Sequence, residues 1–302
     1  MNQWKDRFEF QTLYSVARLL QKLPPETVVK LSRALGSFVY YVIPIRKNVV
    51  LQNLELAFPE TTQRERKRIA RNTYKTFGQT FFEFMRTPAR TRQELQRRIR
   101  LHNTHLLQES YKAGHGTLLM TGHFGNWEIA ACAIVDLGYP LVVIARRQRN
   151  RLVDELINHY RRIAGIETVP LGMGVREFLR ALRQNKFVAM LADQDAHREG
   201  VFVQFFNRLS ATAPGPALFA IKTGAPIIFT TCVLNRDDTY DITFERIDIS
   251  DSIAKGNEAI REITQRHVSH LEEKIRQWPH HWFWMHRRWK TPPPTDEKVP
   301  HD

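Results

Sequence analysis

Cysteine is scarce in this chain: two residues of 302, Cys132 and Cys232, standing in no Cys-x-x-Cys pair. That excludes a disulfide-built scaffold and a cysteine zinc site. Long apolar runs are scarce too. The longest clean one, Ala34 to Ile45 (ALGSFVYYVIPI), has 12 residues, short of the roughly 20 that cross a bilayer. Extending it back to Thr27 gives 19 residues but takes in Lys30 and Arg33. The N-terminus shows no basic stretch followed by an apolar core and a small-residue cleavage site, so a cleaved secretion signal is not expected. Internal repeats, low-complexity stretches and a Gly-x-Ser-x-Gly nucleophile motif are all missing.

What the chain does have is positive charge. Lysine and arginine number 45 against 31 acidic residues, a net +14, while 42% hydrophobic residues suffice for a sizeable core. The length suits one large or two small domains. The excess is concentrated: Glu60–Arg100 carries twelve basic and four acidic residues, with further clusters at Arg146–Arg162 and His286–Lys290. Such patches suit nucleic acid, an anionic membrane surface or acidic substrates. No groove-reading or base-stacking motif accompanies them, which disfavours nucleic acid.

The first segments read as two amphipathic helices, Phe10–Leu20 and Glu26–Val42, separated by Pro24-Pro25. Three placements are open for them: a membrane span, a pair lying in the membrane interface, and a buried hairpin. The charges fit the interfacial pair best. Thr62-Gln63-Arg64-Glu65 has the form of a capping box, and the helix it opens carries Ile69, Thr73, Phe77, Phe81 and Met85 as an expected core stripe. From Gly116 the texture changes. Short apolar runs at Thr117–Met120, Leu141–Ala145, Phe187–Leu191 and Pro226–Val233 read as buried strands. Helical patterns at Asn126–Leu137, Leu152–Ile163 and Val175–Gln184 lie between them, the signature of βαβ units on a mainly parallel sheet. Tyr240–Ile249 alternates like a late strand, Glu258–Trp278 reads as a final long helix, and Thr291–Asp302 is expected to be disordered.

The segment Thr121-Gly-His-Phe-Gly-Asn-Trp-Glu128 directly follows a predicted strand and opens a helix, where open α/β sheets place their sites. On one continuous helix His123 and Glu128 would not share a face. With His123 in the turn and Glu128 in the first helical turn they meet, and a carboxylate on one ring nitrogen would make the other a general base. Asp193-Gln194-Asp195 has the form of a metal- and sugar-nucleotide-binding Asp-x-Asp motif. No nucleotide-binding glycine pattern accompanies it, so a role in shaping the site is the better reading. His280, His281 and His286 suggest metal ligands, but their tryptophan and arginine neighbours suit a packed or interfacial segment, and no metal is expected.

The segment HFGNWE resembles the His-x4-Asp/Glu signature of the bacterial lipid A biosynthesis (lauroyl/myristoyl) acyltransferase family, within the glycerolipid acyltransferase-like superfamily. Asn53–Glu60, the stretch Arg146–Asn150–Asp154–Arg161, the block Asp193–Phe206 and Met285–Thr291 are similar to that family's other motifs, in the same order. The resemblance implies an α/β fold with a mainly parallel sheet flanked by helices. It also implies N-terminal membrane-associating helices over 1–58, a catalytic domain over 59–290 and a tail over 291–302. It implies direct transfer of a fatty acyl chain to a hydroxyl of a lipid A precursor or related anionic glycolipid. The donor would be a thioester of acyl carrier protein or coenzyme A, and no other cofactor is needed. Catalytic roles fall to His123 as base and Glu128 as its partner. Oxyanion and substrate contacts fall to Gly125, Asn126, Arg146, Arg149, Asn150, Arg161, Asp193 and Asp195. The implied partners are acyl carrier protein, the glycolipid and the cytoplasmic face of the inner membrane.

Overall fold

The computed structural model describes residues 3–172, 175–253 and 258–294. Four helices lead: α1 (Gln3–Lys22), α2 (Pro25–Tyr41), α3 (Lys47–Ala57) and α4 (Gln63–Met85). Then follow α5 (Arg92–Arg98), β1 (Ile99–His102), α6 (His105–Ala113), β2 (Thr117–Thr121), α7 (Trp127–Asp136), β3 (Leu141–Ala145), α8 (Arg151–Ile163) and β4 (Ile166–Pro170). The chain continues through α9 (Val175–Arg183), β5 (Phe187–Leu191), β6 (Val201–Phe205), β7 (Arg208–Thr212), α10 (Gly215–Thr223) and β8 (Ile227–Leu234). It closes with β9 (Tyr240–Ile247), α11 (Ser250–Ile253) and α12 (Ala259–Gln277).

Seven strands form one sheet in the order β1-β9-β8-β2-β5-β3-β4. Every neighbouring pair is parallel except β8 and β9. The inner strands β2, β5, β3 and β8 come from near-continuous apolar runs because helices cover both faces. One face packs in a core with Leu118, Met120, Val142, Val188 and Phe229. The other packs with Leu119, Leu141, Phe187, Ile228 and α7. The sheet is thus mainly parallel and flanked by helices, as expected. Two strands, β6 and β7, form a separate antiparallel hairpin. Its turn residues Phe206 and Asn207 both take positive φ, 54° and 55°, the conformation that matches strand twist in a two-residue hairpin.

The capping box at the start of α4 is present: Thr62 Oγ1 accepts from the Glu65 N–H, and Glu65 accepts from the Thr62 N–H. The expected stripe on α4 is only partly its core face. Phe81 is exposed, and the buried face runs through Ala70, Thr73, Tyr74, Gln79, Thr80 and Glu83. The reason is the neighbour. Gly36 of α2 and Gly78 of α4 let the two backbones touch: a Cβ on Gly36 would lie 2.6 Å from the Tyr74 carbonyl oxygen. That close crossing turns α4 so that its polar residues face the site. Many cations of the basic segment have acidic partners, including Arg66 with Glu55, Arg86 with Glu94, Arg98 with Glu83 and Arg100 with Asp237. Arg64, Lys67 and Arg68 remain solvent-exposed.

Among the described residues no helix is long and apolar enough to cross a membrane. Of the tail expected to be disordered, residues 295–302 lie outside the described residues, and Thr291 is tied down by a 2.9 Å hydrogen bond to Asp195.

Candidate active site

His123 sits in the turn between β2 and α7, with Asn126 as the helix N-cap accepting from the Ile129 N–H. Its carboxylate partner is Asp193, two residues past the end of β5. His123 Nδ1 lies 2.7 Å from Asp193 Oδ1, and the His123 backbone N–H donates to Oδ2 at 2.8 Å. Trp282 Nε1–H donates to the same Oδ2 at 2.8 Å. Asp193 is only 3% exposed. Burial alone would raise its pKa, but the His123 charge and the hydrogen bonds from His123 and Trp282 bring it down to about 2. The carboxylate is therefore ionised at neutral pH and fixes which ring nitrogen faces it, leaving Nε2 for substrate.

This corrects the expected His123–Glu128 pair. Glu128 is in the first turn of α7, but its carboxylate turns to Arg161 of α8: Arg161 Nη2 donates to Oε1 at 2.5 Å and Nε to Oε2 at 3.3 Å. Trp127 Nε1–H adds a third bond to Glu128 at 3.2 Å. A bidentate guanidinium outcompetes a single imidazole for a carboxylate.

The backbone N–H groups of Gly125 and Asn126, expected to meet the oxyanion, are already engaged. The Phe124 N–H bonds to the Gly122 carbonyl and the Gly125 N–H to the His281 carbonyl, both at 2.7 Å, while the Asn126 N–H bonds to Cys232. Gly125 has φ of 59°, and a Cβ there would lie 1.6 Å from the Cys232 carbonyl oxygen. Its necessity is steric. Asn126 Nδ2 donates to Glu83 Oε2 at 2.9 Å, and Thr80 Oγ1 donates to the Gly125 carbonyl. Glu83, buried at 3%, also accepts from the Tyr240 hydroxyl at 2.6 Å and from Arg98 at 2.6 Å. None of Glu83, Tyr240 and Thr80 was legible as a site residue, because nothing in a helical pattern distinguishes a buried glutamate from a surface one.

The other expected contacts divide. Arg146 is exposed and lines the mouth of the cavity beside His123, together with Arg161. Arg149 is exposed and does not line it. Asn150 is buried as the N-cap of α8, accepting from the Leu152 and Val153 N–H groups and donating to the Asp6 carbonyl of α1. Its work is structural. Asp195 lines the cavity: its N–H donates to His286 Nε2 at 2.9 Å, Thr291 donates to Oδ2, and Oδ1 is buried without a partner.

The cavity holds about 750 Å³ and is largely apolar, lined by Leu119, Ala131, Ile134, Phe178 and Phe219 among others, with His123 among its polar lining residues. The C-terminal segment forms one wall of the site. The Phe283 N–H donates to the His123 carbonyl at 3.0 Å, and the Phe283 and Trp127 rings flank the imidazole at 6.1 and 5.2 Å. Asn53 anchors that segment, its Nδ2 donating to the Trp284 and His286 carbonyls. Arg288 is 1% exposed and donates to the Ala211 carbonyl and to Thr212. Burial draws its pKa down to about 10 against the pull of Asp193 and Asp195. Two of the three clustered histidines act as backbone acceptors: His281 Nε2 takes the Leu234 N–H and His286 Nε2 that of Asp195. Among the described residues no group of three or more potential metal ligands comes together.

Residues far apart in sequence, His123, Arg146, Arg161 and Asp195, thus line one cavity. Known proteins are similar to the chain in sequence. A phosphatidylinositol mannoside acyltransferase of Mycolicibacterium smegmatis is 26% identical over 225 residues, 73% of this chain and 72% of its own. The lipid A biosynthesis palmitoleoyltransferase of Escherichia coli is 22% identical over 274 residues, covering 90% and 88%. The lipid A biosynthesis myristoyltransferase of the same organism is 25% identical over 192 residues, 63% and 59%. The sequence model described as bacterial lipid A biosynthesis acyltransferase matches residues 10–291. With a match across nearly its whole length, the chain belongs to the bacterial lipid A biosynthesis acyltransferase family.

Proposed function

We propose that this enzyme moves a fatty acyl chain from a thioester, carried by acyl carrier protein or coenzyme A, to a hydroxyl of an anionic glycolipid such as a lipid A precursor. One observation carries the reading: an imidazole held by a buried Asp193 lines a large, mostly apolar cavity. His123 Nε2 takes the proton of the acceptor hydroxyl as its oxygen attacks the thioester carbonyl. The imidazolium that forms is stabilised by Asp193 and then protonates the leaving thiolate. With the turn's own N–H groups occupied, Arg146 at the cavity mouth is the best-placed donor for the oxyanion. A covalent acyl-cysteine is disfavoured because burial raises the thiol pKa of both Cys132 and Cys232.

The acceptor's anionic groups would meet Arg146, Arg149 and Arg161, of which Arg161 already shares its charge with Glu128. We place the enzyme at the cytoplasmic face of the inner membrane. Exposed Trp4 and Phe8 of α1, and Phe38, Tyr41, Ile43 and Ile45 at and after the end of α2, stand among exposed Lys5, Arg7, Lys30 and Arg46. Apolar side chains in a basic setting suit docking in an anionic leaflet. The relatives' names give two acceptors, lipid A and phosphatidylinositol mannoside, so a different lipid acceptor is the second reading. Mass spectrometry of total lipids from a strain lacking this protein tests both. A species one acyl chain short, restored by the wild-type gene and not by His123→Ala, is the expected result; an unchanged lipid profile sinks the proposal.

A further inference from the structure

The central sheet divides at the C-terminal ends of two inner strands. β3 and β5 pair only from Leu141–Phe187 to Val143–Ala189. Beyond that level each keeps its other neighbour: β3 stays on β4 as far as Ala145, and β5 stays on β2 as far as Leu191. A fork therefore opens between Ile144-Ala145 and Met190-Leu191, and all four residues line the cavity. Successive strand residues point to opposite faces, so a cavity lined by both members of each pair reaches both sides of the sheet. The cores agree. Leu119, Ile134 and Leu141 pack on the α7 face, whereas Phe178, Met190 and Phe219 pack on the opposite face, under α9, α10 and α12.

The two lobes differ in how they end. On the α7 side the walls are protein interior, with Leu119, Ile134 and Leu141 all buried. On the opposite face the lobe runs out to an open apolar rim. Leu171, whose N–H bonds to the Ala145 carbonyl, lines the cavity and is nevertheless 61% exposed. Val175 shares a face of α9 with the lining residue Phe178 and is 60% exposed. The leaflet-docking end of α1 is tethered beside the same mouth. Asn150, at the end of the loop whose Arg146 and Gln148 line the cavity, donates to the Asp6 carbonyl and to Glu9. One polar group marks where the apolar lining stops. Asp195, on the loop beyond β5, lines the cavity with a side chain only 2% exposed, and its Oδ1 has no hydrogen-bond partner. A buried carboxylate oxygen left open beside an apolar lobe calls for a ligand with a hydroxyl or amide head and an apolar tail.

We propose that the lobe under α9 and α10 holds a fatty tail of the acceptor lipid. The inference rests on the acyl-transfer reading above. Transfer brings two lipid chains to one imidazole, and the fork lets them arrive on opposite faces of the sheet without crossing. An acceptor tail starts among its neighbours in the leaflet and needs an apolar doorway, which Leu171 and Val175 supply. Sheltering the tail adds binding for the lipid over its bare head group, and the discrimination grows with each methylene taken in.

The test is steady-state transfer by the full-length enzyme to whichever acceptor the wild type acylates, a lipid A precursor or a phosphatidylinositol mannoside. The acceptor is offered with its full fatty chains and with butyryl-length chains in their place, and KM is read separately for acceptor and donor. Gly215→Leu plugs the lobe at little structural cost: Gly215 lines the cavity, and a Cβ there meets only the Phe219 ring, at 3.9 Å. It should raise KM for the long-chain acceptor about tenfold or more, the loss of burial of roughly two methylenes. KM for the short-chain acceptor and for the donor should match wild type. Ala213→Leu, another lining position just before α10, carries the test if thermal unfolding shows that Gly215→Leu does not fold. An unchanged long-chain KM in the plugged, folded enzyme overturns the proposal. So does a shift in preferred donor chain length with acceptor KM unchanged, which would give the lobe to the donor. A wild-type enzyme that transfers to neither acceptor overturns the acyl-transfer reading instead.

Discussion

Asp193 holds His123 twice, by the ring at 2.7 Å and by the backbone N–H at 2.8 Å. One carboxylate thereby sets both the position of the turn and the orientation of the imidazole. Asp193→Asn should keep the fold but weaken the electrostatic support of the imidazolium, lowering kcat by about 10²–10⁴-fold with little change in KM for the donor. His123→Ala should abolish transfer. Steady-state transfer of a labelled acyl chain reads both, and an Asp193→Asn enzyme with near-normal kcat would remove Asp193 from the mechanism.

Glu128 should behave as half of an ion pair. Its side chain and that of Arg161 are 12% and 14% exposed. Removing one partner of such a pair leaves the other charge desolvated, at a cost of about 3 kcal/mol if fully buried and less here because water reaches both groups. Glu128→Ala and Arg161→Ala should each lower the urea midpoint, and the double variant should recover part of the loss. An additive cycle, with no coupling energy, contradicts the pairing.

How much of this was legible in the sequence depends on how local the signal is. The strands β2, β3, β5 and β8 announce themselves because burial on both faces demands unbroken apolar runs. β1 does not, since Ile99-Arg-Leu-His102 is short, half-polar and at the edge of the sheet. The histidine was legible from its turn between two glycines. Its partner was not, because Asp193 is 70 residues away and only the sheet brings the two together. Thr121 pairs with Leu191 in parallel register, so residues two steps past each strand end stand side by side. A polar residue two or three past an apolar strand run, found twice, was the available signal. Spacing along the chain pointed instead to Glu128, five residues from His123, and there a nearby arginine wins the carboxylate.

Glu83 buttresses the turn that carries His123, and on the proposed mechanism it acts as a positioning residue. It accepts from Asn126 and Tyr240 on one oxygen and from Arg98 on the other. Glu83→Gln keeps the shape but replaces an acceptor oxygen by a donor, which leaves a donor facing a donor in a buried network. The expected outcome is a fall in kcat larger than the change in donor KM, partly rescued by Tyr240→Phe, which removes one of the competing donors. Equal loss in kcat and in folded fraction, with no rescue, would reduce Glu83 to a purely structural part.

Gly125→Ala should fail to fold stably, because positive φ and a 1.6 Å approach to the Cys232 carbonyl leave no room for a methyl group. A destabilisation above about 4 kcal/mol is expected, at the tail of what single substitutions do. Thermal denaturation checks it; a variant within 1 kcal/mol of wild type, on the order of an ordinary surface change, contradicts the packing described.

Stability should fall on mild acidification because two histidines are buried neutral. Burial, with Arg288 adding to it for His267 and His280 for His281, draws the pKa of each down to about 3 from the ordinary 6.5. A group whose pKa is lower in the folded than in the unfolded chain takes up a proton on unfolding. Stability is therefore intact above about pH 6.5 and is lost progressively as pH falls toward about 3. Each pKa unit is worth about 1.4 kcal/mol, so by pH 5 each histidine costs about 2 kcal/mol. Asp193 adds nothing in this window, since its own lowered pKa of about 2 lets its contribution fade only below the ordinary carboxylate range. Urea unfolding between pH 7 and pH 5 should show the decline, and His267→Leu should flatten it, because the Nε2 of His267 has no hydrogen-bond partner to lose. A His267→Leu slope equal to that of wild type would mean the ring is already solvated in the native state.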